Sequence, residues 1–491
     1  MTTSIVWLRR DLRLHDHPAL LAAAGEADRL APLFVLDDAL LEGDSAPNRV
    51  WFMLETLREL AADLERRGSR LHVRRGRPEA VVPAFAREVG AGAVHVSRDF
   101  APYGRRRDEA IARSLDGIGV AFRRHTGVLV HEPESIATAD GRWFSVYSPF
   151  RRAWDDRAIR ALAAAPDHLP APPDGVEAGS LPAAGEPGTE PTARIDLLPQ
   201  PGEAAARERL AGWLDGGIAG YGRSRDQLDD PDGTSRLSQD LRFGLLSAAE
   251  VAARASGSGD GRRRFVAEIS WRDFYGHVLW HEPTLLRESF RPEMDAAFGP
   301  GEPGLVDAWR EGRTGYPVVD AAMRQLAASG WMHNRGRMGV ASFLTKHLLI
   351  DRRVGETHFW RHLVDGDPAS NNGGWQWAAS TGTDPQPFFR IFNPILQGKR
   401  FDPDGDFVRR WVPELESVPT SHVHEPWTMP ADMQAATGCR IGANYPSPVV
   451  DHPAARARAL EALAAAGAPG RRDALAADRR DARRRVPAGR E

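Results

Sequence analysis

The stretch of sequence with the most informative chemistry runs from Asp365 to Trp377. It places two carboxylates, two adjacent amides and two adjacent glycines ahead of two tryptophans. If the chain is helical from Gly374 onward, the side chains of Trp375 and Trp377 point about 200° apart. One indole can then face the interior while the other faces an open cavity. The two aspartates are also candidate metal ligands, but no histidine lies at a suitable spacing, so we expect no metal site.

A carboxylate and a tryptophan share one face of a second predicted helix. Glu268 and Trp271 are three residues apart, which places their side chains next to each other. The carboxylate could there hydrogen-bond the edge of a flat heterocycle that stacks on the indole. A tryptophan buried in the core beside a surface ion pair is the alternative, and these two residues alone leave both interpretations open.

An amide and a methionine share one face of a third stretch, Gly330–Met338, which is polar within an otherwise apolar helical context. Asn334 and Met338 are four residues apart. Polar groups placed there need buried partners, and methionine is a deformable contact for a bulky ligand. A methionine that only fills the core is the alternative.

The loop Gly233–Ser238 precedes another predicted helix and is rich in small and polar residues. Its hydroxyls, its free backbone N–H groups and Arg236 together form a cradle for an anion. A simple helix cap is the alternative.

Aromatic and basic residues alternate after residue 387, in the segment Phe388–Pro394 and beyond. The later members are Lys399, Arg400, Arg409, Arg410 and Trp411. This mixture suits a single-stranded or distorted nucleic acid. A solvated charged face is the alternative.

The overall composition is that of a water-soluble globular protein. The chain has 491 residues, enough for two or three domains, and no apolar run long enough to span a bilayer. Its net charge of −3 argues against a uniformly basic surface but allows a local patch that binds nucleic acid. Cys439 is the only cysteine, which argues against disulfides and thiolate metal sites. No signal segment precedes the first predicted strand, so we expect a cytoplasmic monomer without membrane association.

Alternating strand and helix patterns over the first ~130 residues predict a parallel sheet with helices on both faces. The predicted strands are Ile5–Leu8, Pro32–Leu36, Leu71–Arg74, Ala93–Val96 and Gly119–Arg123. An amphipathic helix is predicted over Val50–Arg66. No G-x-G-x-x-G motif follows the first strand, so the usual dinucleotide fingerprint is absent.

The predicted fold class is α/β plus all-α, with four parts along the chain. Residues 1–130 form a doubly wound parallel-sheet domain, and residues 131–202 form a linker rich in Pro, Ala and Gly. Residues 203–465 form a helical domain, in which residues 247–250 have the form of a capping box. Residues 466–491 are predicted to be a disordered tail.

Together these stretches resemble the photolyase/cryptochrome family, and most closely its class I photolyases for cyclobutane pyrimidine dimers. The resemblance extends from Trp7–Leu14 to the 430s. The motifs with the most specific order and spacing are Thr234–Ser238, Trp271–Tyr275, Trp331–Met338 and Asn371–Trp377. It implies an N-terminal α/β domain leaning on a helical domain that holds U-shaped FAD.

The resemblance implies a set of FAD-binding residues. The phosphates and ribityl chain would be held by Tyr221, Thr234, Ser235, Arg236, Leu237 and Ser238. The isoalloxazine would be surrounded by Asn334, Arg337, Asp365, Asp367 and Asn371. Arg337 and Asp365 would form an ion pair, and Asn371 would lie near flavin N5. A neutral amide at that position fits the photolyase branch.

The resemblance also implies UV-damaged DNA, single- or double-stranded, as the partner. A flipped-out dimer would lie between Trp271 and Trp377 and receive an electron from excited, reduced FAD. The residues that touch the dimer would further include Glu268, Asn334 and Met338, and the flanking phosphates would bind Arg225, Arg335 and Arg390. The histidine pair of the (6-4) photoproduct branch is not found.

The sequence departs from the family in its chain of tryptophans for flavin photoreduction. Trp375 matches the first member, but Arg352 occupies the second position and no tryptophan lies near Phe298–Gly299. The candidate substitutes are Trp309, Trp331 and Trp360. We therefore expect slow or rerouted photoreduction.

The identity of a second, antenna chromophore is less closely determined. Gly104-Arg105 stands where folate-binding relatives have an Asn-Glu pair. This favours 8-hydroxy-5-deazaflavin over folate, in a pocket lined by Arg10, Arg49 and Asp99, while a flavin or an empty pocket remains an alternative.

Two rival functions follow from other classes. A cryptochrome-like photoreceptor would use the same fold and FAD to signal without repairing DNA, and the broken tryptophan chain favours it. A light-independent nucleotide-binding α/β enzyme would be colourless when purified.

Overall fold

Five short apolar segments form one parallel sheet in the computed structural model, which describes residues 1–41, 46–186 and 188–467. The strands are β1 (Thr3–Leu8), β2 (Arg29–Leu36), β3 (His72–Arg75), β4 (Ala91–Ser97) and β5 (Ala121–His125). Their order is β3-β2-β1-β4-β5, with all neighbours parallel. Because the order runs outward from β1 in both directions, the crossovers cover both faces. The predicted doubly wound sheet and its five strands are confirmed.

Helices pack on both faces of this sheet. They are α1 (Pro18–Glu26), α2 (Asp38–Leu41), α3 (Pro47–Arg66), α4 (Pro78–Glu88) and α5 (Pro102–Asp116). On one face Trp7 and Val94 belong to a buried apolar cluster with residues of α4 and α5. On the other face Leu8 and Phe34 belong to a cluster that continues into the later helices.

The segment predicted as a linker is extended over most of its length and contains α6 (Tyr147–Asp155). Its backbone runs along the sheet, because Leu30 N donates to Ala171 O at 3.1 Å and Val73 N donates to Ala178 O at 2.7 Å. These bonds hold the segment against β2 and β3. The predicted domain limits stay predictions.

The rest of the described chain is helical, as predicted. The helices are α7 (Glu203–Gly212), α8 (Ile218–Ser224), α9 (Ser238–Phe243), α10 (Ala248–Ala255), α11 (Asp260–His281), α12 (Pro303–Arg310), α13 (Pro317–Ser329), α14 (Asn334–Ser342), α15 (Arg352–His362), α16 (Pro368–Ala379), α17 (Pro394–Phe401), α18 (Asp406–Trp411), α19 (Ala431–Thr437) and α20 (His452–Ala466). Single π turns, Trp213–Gly217 and Phe343–His347, follow α7 and α14. Short 3₁₀ turns are Pro133–Ser135, Ile195–Leu197, Pro283–Leu286, Pro292–Ala297, Pro413–Leu415 and Pro426–Thr428.

The capping box predicted at the start of α10 is half formed. Ser247 Oγ accepts a hydrogen bond from Glu250 N at 3.4 Å. The Glu250 carboxylate does not reach back to Ser247, because it pairs with Arg207 and Arg254 at 3.1 and 3.2 Å.

The sheet and the helical region share one continuous junction. Arg13 is fully buried there and donates to Gly244 O at 2.9 Å and to Gly127 O at 3.1 Å. The rings of Phe52 on α3 and Phe243 on α9 lie 5.3 Å apart between centroids. Apolar packing and a buried guanidinium therefore fix the sheet against the helices.

Within the described residues, every helix is either too short or too polar to cross a bilayer. The predicted tail, residues 466–491, falls outside the described residues from position 468 onward.

Candidate active site

Helices α11 and α16 bring two of the predicted substrate tryptophans to one cavity. Trp271 and Trp377 both line one cavity between these helices. Helix α16 begins at Pro368, six residues before the predicted start at Gly374. The predicted divergence of the two indoles is confirmed, because Trp375 is 2% exposed in the core while Trp377 lines the cavity.

Tyr147 of α6 covers one face of Trp271. The two ring centroids are 3.6 Å apart and the ring planes differ by 11°. The Tyr147 hydroxyl donates to Ala267 O at 3.0 Å and lies 2.7 Å from Ser270 Oγ, while Tyr147 N donates to Asp384 Oδ2 at 3.0 Å. Tyr147 therefore closes one face of the Trp271 indole to a stacking ligand, and Tyr275 lies tilted against the same indole at 5.5 Å.

Glu268, one turn before Trp271 on α11, forms an ion pair with Arg225, which was predicted to bind a phosphate beside the dimer. Arg225 Nη1 lies 2.7 Å from Glu268 Oε1. Burial raises the pKa of Glu268, and the Arg225 guanidinium partly offsets that rise. The second carboxylate oxygen retains lone pairs that can accept from a ligand.

Helix α14 presents the predicted amide and methionine together. Asn334 Nδ2 lies 3.6 Å from Met338 Sδ. The helix begins at Asn334 because the preceding His333 caps it, with Nδ1 accepting from Arg335 N at 3.0 Å. Asn334, Met338 and Glu268 do not themselves line the cavity of Trp271.

Two of the three predicted phosphate-binding arginines lie close together. Arg335 Nη2 is 2.6 Å from Asp226 Oδ1, and Arg225 Nε is 3.9 Å from the same oxygen. Arg390 lies on a different segment, between α16 and α17, and is exposed. The structure therefore groups Arg225 with Arg335 through Asp226, and the predicted role of Arg390 stays a prediction.

Residues predicted around the flavin ring form a polar wall. Arg337 Nη2 lies 2.7 Å from Asp365 Oδ2, which is the ion pair that the resemblance implies. Asp365 Oδ1 is buried and has no hydrogen-bond partner among the described residues. Asn371 Nδ2 donates to Glu356 O at 3.0 Å, which fixes the amide and leaves its carbonyl oxygen as an acceptor.

The predicted phosphate loop lies between α8 and α9 and contains no regular structure up to Leu237. It presents the hydroxyls of Thr234, Ser235 and Ser238, which have no hydrogen-bond partner within the described chain. A Cβ atom at Gly233 would lie 2.9 Å from Asp230 Oδ2 and 3.0 Å from Ser224 O, so glycine fits best there. Arg236 has a positive φ of 49°, and its guanidinium lies 4.4 Å over the Trp331 ring.

Tyr221, the remaining predicted phosphate contact, is buried on α8. Its ring lies edge-on to Trp213 at 5.5 Å and to Phe265 at 5.7 Å. Burial raises the pKa of its phenol. Tyr221 therefore packs in the apolar core, and its contact with a phosphate stays a prediction.

Comparison with known proteins identifies the family in which these groups occur together. Residues 4–173 match the family model of DNA photolyase, and residues 265–465 match that of the FAD binding domain of DNA photolyase. The chain belongs to the DNA photolyase family. This confirms the resemblance inferred from the sequence.

Individual members of the family are similar over nearly the whole chain. A deoxyribodipyrimidine photo-lyase from Streptomyces griseus is 43% identical over 93% of this chain and 98% of its own length. The crystal structure of a bacterial class III photolyase from Agrobacterium tumefaciens has a TM-score of 0.88 and 40% identity, covering 95% of this chain and 98% of that one. A cryptochrome from Synechocystis has a TM-score of 0.86 and 29% identity, covering 94% and 99%.

The residues of the photolyase FAD-binding domain fit a flavin chemically. A buried acceptor without a partner costs roughly 1–3 kcal/mol. Asp365 Oδ1 is such an acceptor beside Arg337. A flavin ring offers an N–H donor along its polar edge, and the loop hydroxyls of residues 234–238 offer donors for its phosphates.

Asp367 pairs with residues of the protein at the junction with the sheet domain, and its predicted contact with the flavin stays a prediction. Its carboxylate caps α16 by accepting from Ser370 N at 2.9 Å and pairs with Arg10 Nη2 at 2.5 Å. Burial by itself would raise the pKa of Asp367, but the guanidiniums of Arg10, Arg242 and Arg272 hold that pKa well below its usual range. Asp367 is therefore a charged link to the sheet domain.

The predicted antenna residues are only partly brought together. Arg10 Nη1 lies 3.8 Å from Asp99 Oδ1. Arg49 Nη1 instead donates to Leu363 O at 2.9 Å, and its guanidinium lies 4.0 Å over the Trp360 ring. One of the three guanidinium nitrogens of Arg49 is thus used by carbonyl groups at the end of α15.

The surroundings of Trp375 distinguish among the candidate substitutes for the broken tryptophan chain. The Trp309 ring lies 6.0 Å from the Trp375 ring between centroids. Arg352, at the position of the second family tryptophan, is buried and pairs with Glu356 at 2.5 Å. A Cβ atom at Gly355 would lie 2.0 Å from the Trp375 indole, so only glycine allows α15 to pack there.

Several residues of the site were not found by sequence reasoning. Tyr147 lies in the segment interpreted as a linker, although Phe150 and Trp154 follow it at three and seven residues, a helical spacing that was a usable signal. Glu356 follows Arg352 by four residues, a helical ion-pair spacing that was a usable signal. For Arg242 and Asp226 the sequence offers no comparable signal, because their partners are distant in the chain.

Proposed function

We propose that this protein splits cyclobutane pyrimidine dimers in DNA in a light-dependent reaction. The main support is the cavity that Trp271 and Trp377 share within the residues that match a photolyase FAD-binding domain. Its curated relatives are named deoxyribodipyrimidine photo-lyases, which agrees with an enzyme of this kind. The assignment to class I rests on the residues alone, since the Agrobacterium structure is that of a class III photolyase.

The two tryptophans would bind the dimer after it leaves the DNA stack. Stacking on an aromatic side chain stabilises a bound base by roughly 1–3 kcal/mol. Photolyases are among the enzymes that extrude their target, and a damaged base is cheaper to extrude because it stacks and pairs poorly. Tyr147 supports this role, because its own stacking fixes the plane of Trp271.

Polar groups would meet the edge of the dimer. Glu268 and Asn334 are the proposed hydrogen-bonding partners, with Met338 in apolar contact. The raised pKa of Glu268 favours its protonated form, which can donate to a dimer carbonyl. Arg225 would stabilise the site electrostatically when Glu268 is ionised.

FAD is the proposed catalytic cofactor, bound without a covalent bond. When bound in its reduced form, it would supply one electron to open the dimer under light and would regain that electron once the ring has opened, so that the reaction is redox-neutral. The loop residues 234–238 would hold its phosphates, and the Arg337–Asp365 pair would hold the polar edge of its ring. Asn371, oriented by the Glu356 carbonyl, would present its amide oxygen near the ring nitrogens.

An antenna chromophore is a further part of the proposal, with 8-hydroxy-5-deazaflavin favoured over folate. Arg10 and Asp99 lie together at the junction of sheet and helices, where Arg242 adds positive charge. Such a cluster favours an ionised phenolic chromophore. Chromatography of the heat-released chromophores tests this, and a released folate would contradict it.

The competing function is that of a photoreceptor, and the similarity to a cryptochrome fold keeps it relevant. Asn371, Met338 and the Trp271–Trp377 cavity favour repair, because a receptor needs no stacking site for a dimer. The fold alone does not separate the two.

The deciding experiment is a repair assay on an oligonucleotide with one thymine dimer, using purified protein with chemically reduced flavin. We expect repair under blue light and none in the dark, with about one FAD released on heating. Bound FAD without light-dependent repair would favour the receptor, and a folded protein without flavin would contradict both. Gel filtration of the same sample tests the proposed monomer, and fractionation of cells tests the proposed cytoplasmic location.

A further inference from the structure

Two of the arginines proposed to bind DNA phosphates are held by one carboxylate. Asp226 Oδ1 lies 2.6 Å from Arg335 Nη2 and 3.9 Å from Arg225 Nε. Arg225 uses another nitrogen, Nη1, to reach Glu268 at 2.7 Å. Asp226 therefore stands between two cations just after α8 ends.

The surrounding contacts restrict how far these groups can move. The Arg335 guanidinium lies 4.5 Å over the Phe401 ring. The loop after Asp226 is tied to the same residue, because Leu228 N donates to Phe401 O at 2.8 Å. The Asp226 side chain is 35% exposed, so its charge faces solvent as well as the two arginines.

A carboxylate at this position has opposite effects on two kinds of DNA. Its negative charge cancels part of the attraction that the two arginines exert on any phosphate backbone. It also fixes the separation of the guanidiniums, which lowers the entropy lost when a backbone of matching shape binds. The phosphates beside a flipped-out dimer have such a shape, whereas an undamaged backbone must first be deformed.

We propose that Asp226 is a specificity-determining positioning residue. It weakens binding to undamaged DNA and aligns Arg225 and Arg335 for the phosphates that flank the dimer. This inference rests on the proposed function, because it requires a flipped-out dimer as the ligand.

The test compares Asp226→Asn with a charge-matched control, Asp229→Asn. Asp229 lies in the same loop, three residues on, and forms no ion pair with an arginine within the described chain. Binding is measured for a fluorescent duplex with one thymine dimer and for the same duplex without damage, over a series of salt concentrations. The flavin content of each variant confirms that it is folded.

We expect Asp226→Asn to bind the undamaged duplex about two- to fivefold more tightly, because an ion pair is removed from two cations. For that duplex, the slope of log affinity against log salt concentration should become steeper by up to about one released counterion. Affinity for the dimer should not rise, so the preference for damaged DNA falls. Asp229→Asn should change the affinities for both duplexes by the same factor. Asp226→Glu keeps the charge but not the spacing, so it should weaken only the dimer complex.

A preference for damaged DNA that Asp226→Asn retains would overturn this inference. So would equal shifts for both duplexes in the Asp226 and Asp229 variants, because the effect would then be one of net charge. Wild-type protein that binds both duplexes equally would overturn the proposed function and this inference together. A wild-type preference that survives in Asp226→Asn would overturn the inference alone.

Discussion

Single aromatic side chains account for most of the proposed recognition of the dimer. Trp271 has one face covered by Tyr147 and lines the cavity that it shares with Trp377. The roles of the two aromatic rings on α6 and α11 can therefore be separated by substitution, since one would contact the ligand and the other would only orient its neighbour.

Trp271→Ala should weaken binding to dimer-containing DNA by roughly ten- to a hundredfold, because stacking of a base is lost. FAD should remain bound, since its proposed contacts are on other helices. The measurement is a binding titration together with the flavin absorbance. Trp280→Ala, near the end of the same helix and outside the cavity, is the matched control. Equal affinities for the wild type and Trp271→Ala would show that Trp271 is structural.

Tyr147→Ala should weaken binding to the dimer by about two- to tenfold, the range expected for loss of an aromatic pair. The indole of Trp271 would then no longer be held in one plane. Tyr147→Phe keeps the ring and loses only the hydroxyl bonds to α11, so it should bind nearly as the wild type does. If Tyr147→Ala binds the dimer like wild type, the stacking has no role in recognition.

At the level of helices, α15 packs on α16 with a buried ion pair at the position where the family has its second tryptophan. Gly355 allows α15 to lie against the Trp375 indole, and Arg352 is buried beside it with Glu356 as its partner. The nearest tryptophan contact of Trp375 is then Trp309 of α12, which is itself 0% exposed. An electron taken from Trp375 can be replaced from Trp309, but that residue has no direct access to an external reductant.

We therefore expect that oxidised protein is photoreduced poorly under blue light in the presence of an external reductant. The change in flavin absorbance measures this reduction. Trp309→Phe should lower the remaining rate, while Trp331→Phe and Trp360→Phe should leave it unchanged, because electron transfer falls steeply with distance. Protein reduced chemically beforehand should repair DNA normally in all three variants. Efficient photoreduction in wild type and in Trp309→Phe would exclude this route.

At the scale of the whole molecule, charges join the sheet to the helical region. Asp367 of α16 meets Arg10 from the end of β1, and Arg242 and Arg272 lie near the same carboxylate. Asp367 also caps α16, a role that asparagine can fill equally well. Asp367→Asn therefore removes the charge of the junction while keeping the cap.

We expect Asp367→Asn to lower the free energy of unfolding near neutral pH, because three guanidiniums lose their counter-charge. The folded-state pKa of Asp367 lies below its unfolded value near ~4, so its stabilising effect is fully present above that pH. The effect is lost as the pH falls towards the folded-state value. The difference between wild type and variant in urea unfolding should hence be constant from pH 7 to about 4 and shrink below it. Asp174→Asn, at an exposed pair with Arg29, serves as the control. A difference that grows on acidification would contradict this assignment.

Features that depend on near neighbours in the chain can be read from the amino-acid sequence. The five strands were predicted from strand patterns that alternate with helix patterns along the chain. The shared faces of Glu268 with Trp271 and of Asn334 with Met338 were predicted from helical spacing. These hold because a residue's direction in a helix or strand is fixed by the two to four residues around it. The family motifs belong to the same category, since their order is readable along the chain.

Contacts between groups that are distant in the chain become visible only in the folded protein. Arg10 and Asp367 are 357 positions apart, and their pairing joins the sheet domain to the start of α16. The stack of Tyr147 on Trp271, the contact of Trp309 with Trp375 and the sharing of Asp226 by two arginines are of the same kind. Such contacts depend on how whole elements pack, and the packing is fixed by the combined burial of many side chains, so no local pattern in the sequence encodes them.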